Sequence, residues 1–349
     1  MRWSSELVER SSFTLDLGAI RRNAETLLRV AGGAELWAVV KANGYGHGAA
    51  DVARAALRGG ATALCVATVD EALELRAVPA LDAARILVMG PANEREVGEA
   101  RAAQLELVAA AGAIPEGVRV HLKVDTGMGR WGLSELKSPT GDVVGVMSHL
   151  AAAESDAEFT NLQIDRFREA TAGLDHTLVR HLGNSAGTLR YPRASFDAVR
   201  CGIALYGISA FGSDPSLDGL EPALRWQSYV ALAKRLEAGD STGYGRRYTA
   251  VEPSWIGVVP VGYADGFRRD MTGTEVLVDG HRRRVVGTVS MDAIAVELDS
   301  EVAVGAPVTL IGDGILVEEH ARAADTIGYE IVTRLDTSSA RAKRVVRDA

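Results

Sequence analysis

Short apolar runs alternate with amphipathic segments rich in Ala, Glu and Arg over the first two-thirds of the chain. Several runs, such as residues 37–40, are apolar at every position, which is typical of parallel strands buried on both faces. The runs predict eight strands, at 36–40, 64–67, 86–89, 105–109, 118–124, 143–147, 177–182 and 198–201. Helical patterns lie between most of them, at 48–57, 69–75, 94–103 and 162–172. Eight such strands favour a closed parallel (β/α)8 barrel of the TIM type over an open, doubly wound sheet.

Two connections in this region are too short for a regular barrel. Only eight residues separate the run that ends at 109 from the run that begins at 118, and Pro115 is one of them. A crossover between parallel strands usually needs about a dozen residues or more. The connection at 134–142 is also short, and Pro139 disfavours a helix there. We therefore expect the fourth outer helix to be absent or reduced to a turn.

The pattern changes after about residue 222 and becomes that of a mainly-β domain. Strand-like stretches occur at 229–233, 255–259, 275–277, 284–286 and 293–298. Asp279-Gly280 is a typical two-residue hairpin turn between two of them. Strands that follow a series of βα repeats indicate a separate domain, so we predict a barrel at 1–222 and a β domain at 223–349. The opening strand, at 13–17, is a candidate to pair with the β domain rather than with the barrel.

Composition and charge narrow the classes of function. The 349 residues carry 46 Asp and Glu against 38 Lys and Arg, a net charge of −8, which argues against nucleic acid or an anionic membrane as the main partner. No apolar stretch approaches the ~18 residues of a membrane span, and residues 1–6 do not resemble a signal peptide. Cys65 and Cys201 lie in apolar segments, so we expect reduced thiols and a cytoplasmic protein. The seven histidines lack metal-ligand spacing, so no metal site is expected.

Lysine is rare in this chain and its positions are informative. Only five of the basic residues are lysines, at positions 41, 123, 137, 234 and 343. Lysine can form a Schiff base or shuttle a proton, whereas arginine stays charged near neutral pH. Lys41 follows a predicted buried strand, at the end where barrel active sites assemble. An amine among apolar residues loses solvation, which lowers its pKa and makes it a usable nucleophile or base.

The same segment, residues 38–48, also carries glycines in a pattern that allows a second interpretation. Gly44-x-Gly46-x-x-Ala49 matches the dinucleotide-binding fingerprint formally, and Asp70 lies far enough downstream to bind a ribose. In that fingerprint the first glycine follows the strand directly, whereas three residues intervene here. A dinucleotide-dependent oxidoreductase therefore stays open as a weaker alternative.

Segment 41–48 closely resembles the pyridoxal-phosphate lysine motif of bacterial alanine racemases, and the likeness continues over nearly the whole chain. The further matching segments are 121–130, 148–151, 181–186, 200–207, 244–248, 261–266 and 290–292. Ordered matches in both predicted domains are more specific than any single motif. The resemblance implies a barrel that binds pyridoxal 5′-phosphate, a C-terminal β domain, and a homodimer whose active sites use both chains.

Racemisation needs an acid/base group on each face of a planar carbanion. By the resemblance, Lys41 forms the imine with the cofactor and serves one face once substrate frees it. Tyr244, from the partner subunit, serves the other face. A free phenol has a pKa of about 10, so Tyr244 needs support, and His149 and Arg200 match the supporting residues. Arg200 also matches the residue that faces the pyridine nitrogen.

The resemblance assigns further residues to the cofactor and the substrate. The phosphate would be held by the hydroxyls of Tyr45 and Ser185 and by backbone N–H groups of Ser185, Gly202 and Ile203, with Asn184-Ser185 opening a helix. For His181 a hydrogen bond near the ring and a structural role stay equally open. Lys123, which many members carry as a carbamate, would orient Arg130 toward the substrate carboxylate. The backbone at Met291 would meet that carboxylate, and Tyr263 and Asp292 would narrow the entrance for a small amino acid.

One departure from the family and three alternatives remain. Thr337 stands where some members place a tyrosine that contacts the phosphate, which puts cofactor affinity and dimer packing in question. Serine or broad-specificity racemases share the plan, because few side chains set the pocket size. Decarboxylases of this fold use a cysteine in the β domain, where this chain has none. Carrier proteins for the cofactor resemble the barrel alone. The resemblance therefore favours a racemase that acts on alanine and supplies D-alanine for peptidoglycan.

Overall fold

The computed structural model describes residues 9–136, 139 and 141–348. These residues form two compact units. One unit contains residues 18–211 and 215–221, and the other contains the chain up to Leu17, residues 212–214 and the chain from Pro222 onward. Strand β1 (Ser12–Asp16) opens the described chain and is followed by helix α1 (Leu17–Ala31), which the sequence pattern did not predict.

Eight parallel strands close into a barrel in the first unit, as the apolar runs predicted. In barrel order they are β2 (Glu35–Val39), β3 (Ala63–Val66), β4 (Ile86–Val88), β5 (Glu106–Ala109), β6 (Arg119–Lys123), β7 (Val143–Met147), β8 (Val179–His181) and β9 (Ala198–Cys201). β9 pairs with β2 and closes the ring. Most residues of these strands are buried and apolar, as expected for strands that are covered on both faces. Cys65 and Cys201 are buried free thiols within β3 and β9.

The helices of this unit lie mostly where periodicity placed them. They are α2 (Lys41–Tyr45), α3 (Ala49–Arg58), α4 (Val69–Arg76), α5 (Glu94–Ala102), α6 (Ala157–Thr171) and α7 (Ser185–Arg190). α6 begins five residues before the predicted start at 162, because the Asp156 side chain caps it by accepting the N–H of Phe159.

The two short connections contain no helix among the described residues. β5 and β6 are joined without one, as the eight-residue spacing predicted. The same holds for the described part of the connection between β6 and β7, although Lys137, Ser138 and Thr140 lie outside the described residues. Within the part of the chain that the structure describes, the barrel therefore has no outer helix on this side.

The second unit is built on a nine-stranded sheet in the order β11-β14-β17-β16-β15-β18-β10-β1-β19. Its strands after β1 are β10 (Leu224–Tyr229), β11 (Leu232–Leu236), β14 (Ser254–Val259), β15 (Glu275–Val278), β16 (His281–Val286), β17 (Ile294–Leu298), β18 (Pro307–Ile311) and β19 (Lys343–Arg347). A two-stranded ribbon, β12 (Ser241–Thr242) and β13 (Tyr248–Thr249), and helices α8 (Val317–Ala323) and α9 (Gly328–Thr333) complete it. β1 pairs with β10 and β19, so the opening strand belongs to this sheet.

Short 3₁₀ turns link several of these elements. They lie at Pro192–Ala194, Ile203–Tyr206, Pro215–Asp218, Tyr244–Arg246, Tyr263–Asp265 and Arg269–Met271. No helix of the described residues has the length and apolar character needed to cross a membrane.

The predicted strand at 229–233 is wrong and the predicted hairpin is confirmed. The chain changes its pairing partner at this point. The N–H of Val230 donates to the carbonyl of Ala306, whereas the N–H of Ala231 donates to the carbonyl of Val258. Two strands, β10 and β11, therefore replace one continuous run. Asp279 and Gly280 join β15 to β16 with φ of 49° and 79°, as a two-residue hairpin of the primed type requires.

Candidate active site

Most of the barrel residues singled out by the sequence lie at the carboxyl ends of the barrel strands. We call the barrel rim the set Lys41 after β2, Lys123 at the end of β6, His149 after β7, His181 at the end of β8, Ser185 at the start of α7, and Arg200 in β9. The carboxyl ends of parallel barrel strands share one face. The fold therefore brings together side chains that are up to 159 positions apart, counting from residue 41 to residue 200.

Lys41 is held by a left-handed turn. Ala42, Asn43 and Gly44 have φ of 51°, 51° and 61°, and Tyr45 has φ of 52°. Each non-glycine residue in this region costs roughly 1–2 kcal/mol, so the turn must be stabilised from outside. The Glu71 carboxylate does this, since it accepts the N–H groups of Ala42 at 2.6 Å and Ala67 at 2.7 Å.

The surroundings of Lys41 favour its neutral amine. Burial is the main cause that lowers its pKa, and the positive charge of Arg130 adds to it. The negative charge of Glu71 opposes the shift but does not reverse it. A lysine that is half-buried at a barrel strand end with a depressed pKa is suited to nucleophilic and general-base chemistry.

Arg200 is almost fully saturated with hydrogen bonds. Nη1 donates to the carbonyl of His181 at 2.9 Å and lies 2.8 Å from His181 Nδ1. Nη2 donates to the carbonyl of Ser148 at 2.8 Å and lies 3.3 Å from His149 Nδ1. Burial lowers the pKa of Arg200 to about 10, which leaves it charged at neutral pH. Its Nε is buried and has no partner among the described residues.

A cradle of small groups lies beside Arg200 at the start of α7. The Ser185 hydroxyl accepts the N–H groups of Gly202 at 3.1 Å and Ala204 at 3.3 Å. A Cβ on Gly202 would lie 2.4 Å from the Tyr45 hydroxyl oxygen, so only glycine allows this approach. The Asn184 side chain caps α7 by accepting the N–H of Gly187, and Ile203 begins the following 3₁₀ turn. The geometry thus groups two hydroxyls and several backbone N–H groups.

Lys123 and Arg130 approach each other on the adjacent part of the rim. Burial, followed by the charges of Arg130 and Arg200, lowers the pKa of Lys123 to about 8. The indole of Trp131 lies 5.5 Å from the ammonium of Lys123 and 5.2 Å from the guanidinium carbon of Arg130. The loop that carries Arg130 is held by Asp125, whose carboxylate accepts three consecutive backbone N–H groups.

The remaining predicted residues belong to the second unit. We call the β-domain surface the set Tyr244, Tyr263, Met291 and Asp292. The Thr288 hydroxyl donates to the carbonyl of Tyr244 at 2.8 Å, and the N–H of Tyr263 donates to the carbonyl of Ser290 at 3.0 Å. These bonds place the four residues on neighbouring turns of one surface.

Side chains of the β-domain surface face solvent in a single chain. Tyr244 is 72% exposed, Met291 54% and Tyr263 43%. Asp292 accepts a hydrogen bond from Arg341 at 2.8 Å, and Arg341 also bonds the buried Asp265. Thr337 lies in the same C-terminal segment and lines a surface cleft together with Arg10.

Sequence reasoning missed three residues with roles in this arrangement. Glu71 stabilises the lysine turn, Thr288 holds the Tyr244 turn, and Glu106 is a carboxylate buried in the barrel. Only Glu71 had a local signal, the capping box that it forms with Thr68 at the start of α4. Among the residues that the structure describes, no group of three or more His, Cys, Asp and Glu side chains could hold a metal ion.

Comparison with known proteins agrees with this arrangement along the whole chain. Residues 15–210 match the model of the alanine racemase N-terminal domain, and residues 223–346 match that of the C-terminal domain. The chain is 42% identical to the alanine racemase of Frankia casuarinae over 93% of its own length and 94% of that protein.

Solved structures give the same result. The alanine racemase of D-cycloserine-producing Streptomyces lavendulae superposes with a TM-score of 0.90 at 35% identity, covering 99% of this chain and 98% of that one. The Bartonella henselae enzyme, described as carrying covalently bound pyridoxal phosphate, gives 0.86 at 29% identity, with 97% and 99% covered. The barrel, the β domain and both family models together show that this chain belongs to the alanine racemase family.

Proposed function

We propose that this protein is a pyridoxal-phosphate-dependent racemase that interconverts L- and D-alanine. The observation that carries the proposal is the unpartnered, buried Nε of Arg200 on the rim that also holds Lys41. A buried donor without a partner costs about 1–3 kcal/mol, so it marks a position where an acceptor is expected.

The residues on the barrel rim fit pyridoxal 5′-phosphate. The cofactor offers a pyridine nitrogen that can accept from Arg200 Nε, an aldehyde that can react with a lysine, and a phosphate. Ser185, Tyr45 and the N–H groups near Gly202 and Ile203 would hold the phosphate, since small residues allow close approach there. The Bartonella relative with covalently bound cofactor supports this assignment.

Pyridoxal phosphate, when bound, delocalises the charge that remains after loss of the substrate α-proton. Arg200 tunes this property, because a guanidinium beside the ring nitrogen does not readily give up a proton to it. Arg200 would thus leave the ring nitrogen largely unprotonated and so reduce the charge that the ring draws to that atom. That limits the charge where transamination would begin and favours return of the proton to the α-carbon.

Two residues would move the proton. The Lys41 amine, whose pKa is lowered by burial, would hold the proton on one face. The Tyr244 phenol of a second copy of the chain would serve the other face. The exposure of Tyr244 in the single chain supports this, because an acid/base group that stayed in water would lose the desolvated environment that such chemistry uses. His149 and Arg200 would assist the phenolate.

Substrate recognition would use Arg130 and the backbone at Met291 for the carboxylate. A carbamate on Lys123 would turn a repelling cation into an anion that orients Arg130. The pKa of about 8 for Lys123 supports this, since the neutral amine is the form that reacts with CO2. Tyr263 and Asp292 would narrow the entrance, which suits alanine first and serine next.

The biological setting follows from the activity. We propose a cytoplasmic homodimer that supplies D-alanine for peptidoglycan. The free, buried thiols are consistent with a reducing compartment.

The proposal is tested by incubating L-alanine with the purified holoenzyme in D2O and analysing the product on a chiral column with mass detection. We expect D-alanine that carries deuterium at the α-carbon, and none from Lys41→Ala. If serine is racemised and alanine is not, the substrate assignment is wrong. If neither amino acid is racemised, the racemase proposal itself is contradicted.

A further inference from the structure

A continuous chain of hydrogen-bonded side chains runs through the barrel interior to Arg200. Glu106 on β5 lies 2.9 Å from His121 Nε2 on β6. His121 Nδ1 lies 2.9 Å from His181 Nε2 on β8, and His181 Nδ1 lies 2.8 Å from Arg200 Nη1 on β9. All four side chains are buried, with exposed fractions of 3% or less.

The hydrogen-bond donors and acceptors available on these side chains determine which nitrogen of each histidine carries the proton. A guanidinium can only donate, so His181 Nδ1 must accept from Arg200. His181 then carries its proton on Nε2 and donates to His121 Nδ1. His121 in turn carries its proton on Nε2 and donates it to a carboxyl oxygen of Glu106. Both imidazoles are therefore neutral and held in the same tautomer.

Burial and the neighbouring charges agree with this assignment. Burial is the main cause that lowers the pKa of His181 well below its ordinary value, and the charge of Arg200 adds to it. Burial also lowers the pKa of His121, although Glu106 opposes it. The Glu106 carboxylate accepts a hydrogen bond from Arg85 Nε at 2.9 Å and forms an ion pair with Arg119 at 3.2 Å. Burial raises the pKa of Glu106, but the hydrogen bond from His121 and the charges of Arg85 and Arg119 together hold that pKa below its ordinary value.

The surrounding barrel is shaped to admit the histidine pair. Strand β7 lies between β6 and β8, and its Gly145 leaves the room that the pair needs. A Cβ on Gly145 would lie 2.3 Å from His121 Nδ1. The indole of Trp37 packs against both imidazoles, with centroid distances of 5.6 Å to His121 and 4.5 Å to His181. The histidine–histidine hydrogen bond is thus enclosed.

We propose that Glu106, His121 and His181 are positioning residues that fix the orientation of Arg200 and leave its Nε–H as the one donor for the cofactor ring. The inference rests on the proposed function in so far as Arg200 faces a bound ring nitrogen. The order of donors, Arg200 to His181 to His121 to Glu106, is a property of the chain itself and is testable without cofactor.

Glu106→Gln reverses this order with little change in shape. Arg85 and Arg119 would take the amide oxygen, so the amide NH2 would face His121 Nε2 and donate to it. His121 would then carry its proton on Nδ1, and His181 Nε2 would have to accept. His181 would then carry its proton on Nδ1, so that this N–H and the Nη1–H of Arg200 would point at each other with no acceptor between them. Arg200 would lose its acceptor and shift.

The test combines a spectroscopic and a kinetic measurement. In the cofactor-free wild type, ¹⁵N NMR of labelled histidine should show His121 and His181 neutral and protonated on Nε2 near pH 7. In Glu106→Gln both should move to the Nδ1-protonated form. In the holoenzyme, kcat for alanine should fall about tenfold or more while KM changes less than about twofold, since the substrate contacts are not altered.

Glu35→Gln is the matched control. Glu35 also accepts from Trp37 Nε1, at 2.8 Å, and lies near Arg85, but it does not contact either histidine. Its variant should keep both tautomers and kcat. The wild-type spectrum tests the proposal without relying on a variant that folds. A charged imidazolium or an Nδ1-protonated ring at His121 or His181 in that spectrum would overturn the proposal. Unchanged tautomers and kcat in folded Glu106→Gln would overturn it as well. An enzyme without racemase activity would contradict the proposed function. The tautomers of the two histidines would still test the proposed order of donors from Arg200 to Glu106.

Discussion

The side chains to which we assign functions are buried on the barrel rim and exposed on the β-domain surface. On the barrel rim, Arg200 and Ser185 are buried and held by several hydrogen bonds each. On the β-domain surface, Tyr244 and Met291 project into solvent, and it is their backbone turns that are held. Cofactor chemistry benefits from groups that are fixed in advance in a region of low dielectric. The rim meets this condition within one chain, whereas the surface meets it only when something covers it.

Under the proposed function, one half of the site is complete after folding, and the other half is desolvated only when a second copy of the chain covers it. Exposed aromatic and apolar side chains such as Tyr244, Tyr263 and Met291 are typical of protein interfaces. A second copy of the chain that covered them would desolvate the phenol and bring it to a barrel rim. The predictions below test the two halves separately, from the largest expected effect to the smallest.

Lys41→Ala should produce the largest loss, because Lys123, the other primary amine of the barrel rim, lies at the end of β6 and not on the left-handed turn that places Lys41. We expect racemase activity to fall on the order of 10⁴-fold or more, together with loss of the absorbance band of the lysine-linked cofactor. Lys234→Ala, which removes an exposed lysine of β11, is the control and should retain both. A Lys41→Ala protein that keeps the band would remove the central assignment of the barrel rim.

Tyr244→Phe tests the β-domain surface with a change of one hydroxyl. Loss of a general acid or base slows catalysis about 10²–10⁴-fold. Because each acid/base group serves one face, α-proton exchange with D2O should be lost for one enantiomer much more than for the other. Exchange is measured by NMR for L- and D-alanine separately. Tyr248→Phe, at a half-buried tyrosine nearby, should show no asymmetry. An equal loss for both enantiomers would argue against a two-base scheme.

Ser185→Ala tests the cradle on the barrel rim. It removes a hydroxyl that orders the N–H groups of Gly202 and Ala204, and we expect the Kd for pyridoxal phosphate to rise about tenfold. The measurement is a fluorescence titration of cofactor-free protein. Ser195→Ala is a matched control, since the Ser195 hydroxyl is buried and has no hydrogen-bond partner within the described part of the chain. Equal affinities in both variants would show that the cradle does not hold the cofactor.

Lys123 gives the smallest and most specific effect, a pH dependence of stability. Its pKa is about 8 in the folded chain against 10.5 for the ordinary side chain. Between these values the unfolded chain binds more protons, so stability rises with pH across this window. In bicarbonate-free buffer the wild type should gain on the order of 2 kcal/mol relative to Lys123→Met between pH 8 and 10.5. Urea unfolding measures the difference, and parallel curves would contradict the buried, uncarbamylated lysine.

The fold could be predicted where its signal is local. Eight apolar runs predicted the closed barrel, and Asp279-Gly280 predicted its hairpin, because each pattern depends on a few consecutive residues. The run at 229–233 wrongly predicted a single strand, because its residues are apolar both before and after the point where the chain changes from pairing with β18 to pairing with β14. That change is set by β14 and β18, which are distant in sequence. Helix α1 and the first turn of α6 were missed for lack of a clear start in the pattern.

The site could be predicted to the extent that its residues belong to motifs. Lys41, Arg200 and Tyr244 stand in segments that resemble the family, whereas Glu106 stands in a strand with no motif. The meaning of Glu106 depends on His121 and on the missing side chain of Gly145, which the barrel register brings together. Because these three residues lie on three different strands, the sequence around each of them does not reveal that they come together.

The central claim is that Tyr244 of one chain completes the barrel rim of another, and subunit mixing tests it most directly. Lys41→Ala and Tyr244→Phe, each inactive alone, are unfolded together at equal concentration, refolded with cofactor and assayed for racemisation of alanine. In a shared-site dimer each mixed dimer has one intact site, so random pairing should restore about a quarter of the wild-type activity. If Lys41 and Tyr244 act within the same chain, every site carries a defect, and a mixture that stays inactive would contradict the account.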